Sequence, residues 1–146
     1  AIRQEIGMLF QGAALFDYMN VEQNISFPLD MFTKKSPEEK VDRVNFVLKR
    51  VNLENVNNLM PSELSGGMRK RVAIARAIVT RPVVLLADEP TGNLDSKRSA
   101  EIMDLLTSFN RDLGITIIMV THEPDMAAYA KRTVHFLDGL IENDRK

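Results

Sequence analysis

The densest chemistry in the sequence lies in Val83-Val84-Leu85-Leu86-Ala87-Asp88-Glu89-Pro90, an apolar run that ends abruptly in two carboxylates and a proline. A strand of this composition puts both charges at the carboxyl edge of a sheet, where open α/β sheets bind ligands. There Asp88 can hold Mg²⁺ through water while Glu89 orients or deprotonates an attacking water. The dipeptide also reads as a plain polar strand terminus. A second group is Leu64-Ser65-Gly66-Gly67-Met68, followed by a helical stretch carrying Arg69, Lys70, Arg71 and Arg76. Ser65 is an N-cap residue type, and two glycines leave the first amides of the helix unobstructed. The helix dipole adds roughly half a positive charge at that end, which suits an anion. The alternative is a helix cap after a flexible turn, with the four cations forming a solvated face. A third candidate is His122 after Thr116-Ile117-Ile118-Met119-Val120-Thr121; a lone histidine there is by itself more often a hydrogen-bonded strand terminus than a catalytic group.

Positioning these groups requires a mixed fold. Residues 6–10, 83–87, 116–120 and 133–137 are short, apolar or β-branched, as strands of an α/β sheet are. The 83–87 run has no polar alternation, which predicts a central parallel strand covered on both faces. Between them, residues 12–80 read as helical. Ser36 is an N-cap followed by Pro37, with Glu39 placed to complete a capping box, and Val41, Val44, Val47, Leu48 and Val51 recur at helical spacing. Further helices are predicted from Ser65 to before Pro82, from Ser96 toward Gly114 with Ile102, Leu105, Leu106 and Phe109 on one face, and over Pro124 to Ala130.

The 146 residues suit one domain, and 19 Lys+Arg against 20 Asp+Glu give a net charge of −1, which argues against a basic nucleic-acid surface. No apolar stretch approaches the ~20 residues that cross a bilayer, and no secretory leader pattern is present. There is no cysteine, so neither a disulfide scaffold nor a thiolate metal site is expected.

Taken in order, the segments resemble the nucleotide-binding subunits of ATP-binding cassette (ABC) transporters. The likeness rests on LFQ ending at Gln11, LSGGM at 64–68, VVLLADEPTGNLD at 83–95 and VTHEPDMA at 120–127. It implies a partial P-loop NTPase parallel sheet with an inserted helical subdomain: residues 12–80 as the subdomain, 1–11 plus 81–146 as the remnant of the α/β core. It implies that Gln11 contacts Mg²⁺ and the attacking water and couples to a membrane subunit. Ser65, Gly66, Gly67 and Met68 match the signature motif, which grips the γ-phosphate of ATP held by the opposite protomer. Asp88 matches the Mg²⁺-binding aspartate, Glu89 the catalytic glutamate, and His122 the histidine that clamps the γ-phosphate. Asp95 falls in the loop that communicates across the dimer, and is otherwise a helix N-cap. The implied partners are a transmembrane permease, docking near Phe16, Tyr18 and Phe27, and a second nucleotide-binding subunit; the implied location is the cytoplasmic side of a membrane.

The pattern also departs from the family. None of the seven glycines starts a G-x-x-x-x-G-K-[ST] loop, the element that wraps phosphates with amides and a lysine. The sequence therefore looks like the carboxyl-terminal part of such a domain, without ATPase activity on its own. A non-catalytic module lending its signature motif to a complete subunit is the alternative, as is a truncated or recombinant product. The resemblance places the phosphate-loop strand between 116–120 and 133–137, so those two strands are expected to close on each other or to be bridged by a partner chain. Met68 stands where Gln is commoner. Residues 7–29 look most like phospholipid-transport ATPases of mammalian-cell-entry type, whereas 85–95 and 120–132 resemble the lipoprotein-release and macrolide-export group.

Overall fold

A computed structural model describes residues 5–146; residues 1–4, part of the expected core remnant, lie outside the described residues. Strand β1 (Ile6–Leu9) is followed by helices α1 (Val21–Phe32) and α2 (Pro37–Arg50), a 3₁₀ turn (Pro61–Glu63) and helix α3 (Gly66–Ile78). Then come β2 (Val84–Asp88), α4 (Ser96–Leu113), β3 (Thr116–Val120), a short α5 (Pro124–Ala127), β4 (Thr133–Leu137) and β5 (Leu140–Arg145).

The four longer helices begin where side chains satisfy their first amides. Asn20 caps α1 by accepting from the Gln23 amide at 2.8 Å, and Gln23 returns the bond to the Asn20 amide at 2.9 Å, a complete capping box that the sequence reading had not placed. Ser36 caps α2 by accepting from the Glu39 amide at 3.2 Å. The reciprocal half expected there is not made: the Glu39 carboxylate meets the Ser36 hydroxyl instead. Asp95 caps α4, which ends at Gly114 in the left-handed conformation.

β1, β2 and β3 form a parallel sheet in that order, with Ile6, Val84 and Thr116 in register. Leu9, Leu85 and Ala87 point to one face and are buried. That face packs on the helices, with α3 against β1 and α4 against β3. Helix α3 approaches so closely that a Cβ on Gly7 would sit 2.3 Å from the Ala77 carbonyl oxygen. The core continues through Ile25 and Leu29 of α1, Val44 and Val47 of α2, Ile74 and Ile78 of α3, and Ile102, Leu106 and Phe109 of α4.

Two expectations are corrected. β2 is central, but among the described residues it is covered on one face only: Val84 and Leu86 are half-buried, and Met8, Ile118 and Val120 on the same face are 50–61 % exposed. Strand β4 does not close on β3, the first of the two outcomes expected for them. It pairs antiparallel with β5 in a separate two-stranded sheet, turning through Asp138 and Gly139, both at positive φ. Asp-Gly is the strongest two-residue hairpin signal, and closing a loop of two residues costs far less entropy than bringing β4 beside a strand formed elsewhere.

Candidate functional site

The carboxyl ends of all three parallel strands converge on one edge of the sheet. β1 leads into Gln11, β2 ends at Asp88 with Glu89 next, and β3 leads through Thr121 to His122. The parallel register brings Asp88 opposite Val120, so the residues that follow each strand meet. Glu89 sits at φ 45°, an uncommon conformation for a residue with a side chain, and its amide donates to the Val120 carbonyl at 2.8 Å. This turn aims the carboxylate at β3. Glu89 Oε1 accepts from the His122 amide at 3.0 Å and lies 2.6 Å from His122 Nδ1.

The pair is electrostatically coupled. Enclosure opposes ionisation of Glu89, but the hydrogen bonds and charge of His122 outweigh it and hold the carboxyl below its ordinary range. His122 is raised by its hydrogen bond to Glu89 and by that group's charge, with Glu123 adding to the effect. The histidine is 83 % exposed while the Glu89 side chain is 15 % exposed, so the imidazole caps the carboxylate from the solvent side. Next along the chain, buried Thr91 donates to the Glu123 carboxylate at 3.2 Å, tying the loop after β2 to the loop after β3. This contact had no signal in the sequence.

Gln11 is exposed, and its side chain lies against Gly92. A Cβ at Gly92 would stand 2.9 Å from Gln11 Nε2 and 3.0 Å from its Cγ, so the glycine makes the slot in which the glutamine rests. Asp95 acts as the N-cap of α4, accepting from the Arg98 amide at 2.8 Å and from the Arg98 guanidinium at 2.5 Å. That cap role was the plain alternative for this residue, and it is realised.

Ser65, Gly66, Gly67 and Met68 form the amino end of α3. The Ser65 hydroxyl oxygen accepts from the Met68 amide at 3.2 Å. Ser65 and Gly66 are exposed, and no atom lies within 4 Å of where a Gly66 Cβ would be. The Arg98 side chain passes beside Gly67, with its Cδ 3.3 Å from the position of a Cβ there. Exposed first-turn amides, the dipole and a nearby guanidinium suit an oxyanion. The strand-edge group and this helix end are separate, the first carrying carboxylates and an amide, the second a hydroxyl and exposed backbone. Among the described residues no cluster of three or more histidine or acidic side chains could hold a metal by itself, so a cation here would rely on Asp88, Gln11 and ligand oxygens.

The solvated face, the alternative for the α3 cations, is realised only at Arg69: Lys70 is buried, and Arg71 and Arg76 are half-buried. Lys70 is 3 % exposed and donates to the carbonyls of Gln11 at 2.5 Å and Phe10 at 3.4 Å. Arg76 donates to the carbonyls of Ala13 and Ala14 at 2.9 and 3.0 Å. Arg69 reaches the Pro61 carbonyl, and Arg71 the Val51 carbonyl and Glu101. These cations satisfy loop carbonyls that no helix or sheet ladder serves. Burial lowers the ordinary pKa of both Lys70 and Arg76.

Phe16 and Phe27 pack with centroids 4.9 Å apart, and Tyr18, 75 % exposed, lies 5.8 Å from Phe16. The loop that carries them is held by the buried Asn24 amide, which bonds to Phe16, Met19 and Asn20. No helix among the described residues is long and apolar enough to cross a membrane.

Comparison with known proteins places the chain among homologues. The family model described as ABC transporter matches residues 1–92. The ABC transporter ATP-binding protein YxdL of Bacillus subtilis (strain 168) is 40 % identical over 142 residues, covering 97 % of this chain and 55 % of its own length. The lipoprotein-releasing system ATP-binding protein LolD of Francisella tularensis subsp. holarctica (strain OSU18) is 40 % identical over 139 residues, covering 95 % and 60 %. Among solved structures, the dimeric post-hydrolysis state of the ATP-binding cassette MJ0796 bound to ADP and Pi superposes with a TM-score of 0.88 at 38 % identity, covering 99 % of this chain and 64 % of that one. The chain thus spans 55–60 % of the length of these two curated relatives.

Proposed function

As this chain belongs to the ABC transporter family, with an α/β nucleotide-binding fold, we propose that it supplies half of a shared ATP site in an energy-coupling subunit. The observation that carries this reading is the exposed amino end of α3, where Ser65, Gly66 and Gly67 present a hydroxyl and open amides to an anion. On this reading they hold the terminal phosphate of ATP seated on the phosphate loop of a second nucleotide-binding subunit. Asp88 and Gln11 would hold Mg²⁺ through water at the chain's own strand edge, where Glu89 is placed to take a proton from water and His122 to hold a phosphate oxygen. Bound Mg²⁺–ATP supplies the phosphoryl group and the charge neutralisation for in-line transfer. Residues 12–80 serve as the helical subdomain, and residues 1–11 with 81–146 as part of the α/β core.

The 146 residues contain no G-x-x-x-x-G-K-[ST] loop. Positioning and charge stabilisation supply most phosphoryl-transfer catalysis, and general-base assistance adds roughly 10²–10⁴ only on a nucleotide already seated. The chain alone therefore turns over no ATP. The uncovered face at Met8, Ile118 and Val120 favours association, whether with a second copy or with a phosphate-loop polypeptide. The tilted stack of Phe16, Tyr18 and Phe27 is the surface for a transmembrane permease, which places the assembly on the cytoplasmic side of a membrane.

The lipoprotein-release and macrolide-export likeness of 85–95 and 120–132 agrees with the chain-wide similarity to LolD and to the macrolide export protein MacB of Bdellovibrio bacteriovorus at 41 % identity, while the methionine import protein MetN of Xanthomonas euvesicatoria pv. vesicatoria (strain 85-10) is 42 % identical. The phospholipid-transport likeness of 7–29 is a reading from the sequence, and the transported substrate is left open between these classes. The alternative function, a module that lends only its signature segment, uses the same Ser65–Gly67 end.

The test is hydrolysis in trans. A cassette such as MJ0796, with its own signature serine replaced so that its homodimer is inactive, is mixed with this chain and phosphate release is followed. Activity that appears on mixing and is lost with Ser65→Ala supports the reading. No gain on mixing, under conditions where the two chains associate, sinks it.

A further inference from the structure

We propose that Lys70 is a positioning residue, a buried cationic clamp that locks the backbone of Gln11 to α3 so that the strand-edge glutamine and the Ser65–Gly67 end move as one unit. The inference rests on the nucleotide reading of those two groups, but its geometry stands apart from it. The Lys70 side chain leaves the helix only three residues after Gly67 and is 3 % exposed, yet among the described residues it forms no ion pair. Its ammonium instead donates to two backbone oxygens, Gln11 at 2.5 Å and Phe10 at 3.4 Å, from a position sixty residues later in the chain. Keeping a lysine in such a place costs desolvation that an exposed position avoids, so the fold retains it only where the bonds it makes outweigh that cost.

What the clamp holds is a strained turn. Ala13 and Ala14 follow at φ 64° and 55°, two consecutive left-handed residues without glycine. Such conformations persist where surrounding contacts over-determine them. Three contacts do so here. Lys70 fixes the start of the turn, the Ala13 amide closes it on the Phe10 carbonyl at 3.1 Å, and Arg76, also from α3, takes the carbonyls of Ala13 and Ala14. On the far side, the Gly92 slot receives the Gln11 side chain. Gln11 is thus held by its backbone from α3 and by its side chain from the loop after β2. A shift of the turn is therefore passed to α3, whose amino end is capped by Ser65.

The experiment uses the 146-residue chain and two readouts that a general loss of stability does not produce selectively. These are the Gln11 carbonyl ¹³C resonance, which reports the charged hydrogen bond, and hydrogen exchange at the Ala13 amide, which reports closure of the turn. Lys70→Met is expected to move the carbonyl resonance and to speed Ala13 exchange at least tenfold, with the Leu86 and Ile118 amides changing less than twofold. Lys70→Arg, which keeps a charged donor, restores both. In the mixed hydrolysis assay Lys70→Met lowers turnover at least fivefold while KM for ATP stays within twofold, because ATP sits on the other subunit's loop. If Lys70→Met does not fold, Lys70→Gln gives the same readouts with a neutral donor.

An unmoved Gln11 resonance, an Ala13 amide as protected as in the parent, or uniform acceleration of every amide overturns the clamp. Unchanged turnover with the turn opened overturns the positioning role. Failure of the nucleotide reading is distinguishable: Ser65→Ala then has no effect on mixed hydrolysis, while the resonance and exchange results are untouched.

Discussion

Ser65 has two jobs on this account, and a pair of substitutions separates them. Its hydroxyl caps α3 through a bond of 3.2 Å to the Met68 amide, long for this contact and exposed to water. Loss of such a cap costs about 0.5–1 kcal/mol, the lower half of the range for serine caps. For a chain near this size that lowers Tm by about 1–4 °C. Ser65→Asp keeps a good cap and adds a favourable charge at the dipole's positive end, so Tm holds or rises. At the phosphate the two variants behave alike. Ser65→Ala removes one hydrogen bond to a charged group, worth about 1.5–3 kcal/mol, which is roughly 10- to 100-fold in rate. Ser65→Asp puts a carboxylate against the phosphate and loses at least as much. Thermal unfolding and phosphate release in the mixed assay read the two effects separately. Parent-level hydrolysis by Ser65→Asp would refute the reasoning, because it would reduce this end of α3 to a helix cap.

Other outcomes follow from the same geometry. Glu89→Gln leaves mixed hydrolysis within twofold of the parent, since Glu89 faces the nucleotide of its own strand edge and not the one gripped by Ser65; a tenfold loss contradicts that division. In an NMR titration His122 has its midpoint above 6.5 and Glu89 below 4.5, and Glu89→Gln returns His122 toward 6.5. Stability from the raised histidine is full below pH 6.5 and fades as pH rises through its folded value. Stability from the depressed carboxyl is present above 4.5 and fades as pH falls through its folded value, so an equal Tm loss in Glu89→Gln at pH 5.5 and pH 9 contradicts the pairing. Gly7→Ala drives a methyl into the Ala77 carbonyl and costs about 1–3 kcal/mol, a Tm fall of roughly 2–12 °C by calorimetry. Ile118→Lys with Val120→Lys on the uncovered face reduces concentration-dependent association in sedimentation; unchanged association places the contact elsewhere.

Local signals carried much of this structure. Ser36, Ser65 and Asp95 cap helices because their oxygens meet amides three residues on, a relation contained in the sequence itself. The strands near 83–87 and 116–120 were legible from their apolar and β-branched runs, and Asp88, Glu89 and His122, at or just past their ends, meet at one edge. Two further local signals lie in the sequence. Asn20 and Gln23 open α1 with a full capping box, obscured by Pro28 inside the helix, and Asp138-Gly139 turns β4 back onto β5. The cations of α3 are a different matter. Lys70 and Arg76 alternate with Val72, Ala73 and Ile74 as a solvated face would, and only the carbonyls of Phe10 to Ala14, brought in from β1, reveal that they are enclosed. Such non-local hydrogen bonds leave no spacing to read. The Gly92 slot for Gln11 is hidden in the same way.

The central claim is that this chain holds the gripping half of an ATP site and not the seating half. Calorimetric titration of the 146-residue chain alone with Mg²⁺–ATP tests it most directly. The account predicts no saturable binding at millimolar nucleotide and no phosphate release. Stoichiometric binding by the isolated chain, with turnover abolished by Glu89→Gln, would contradict it.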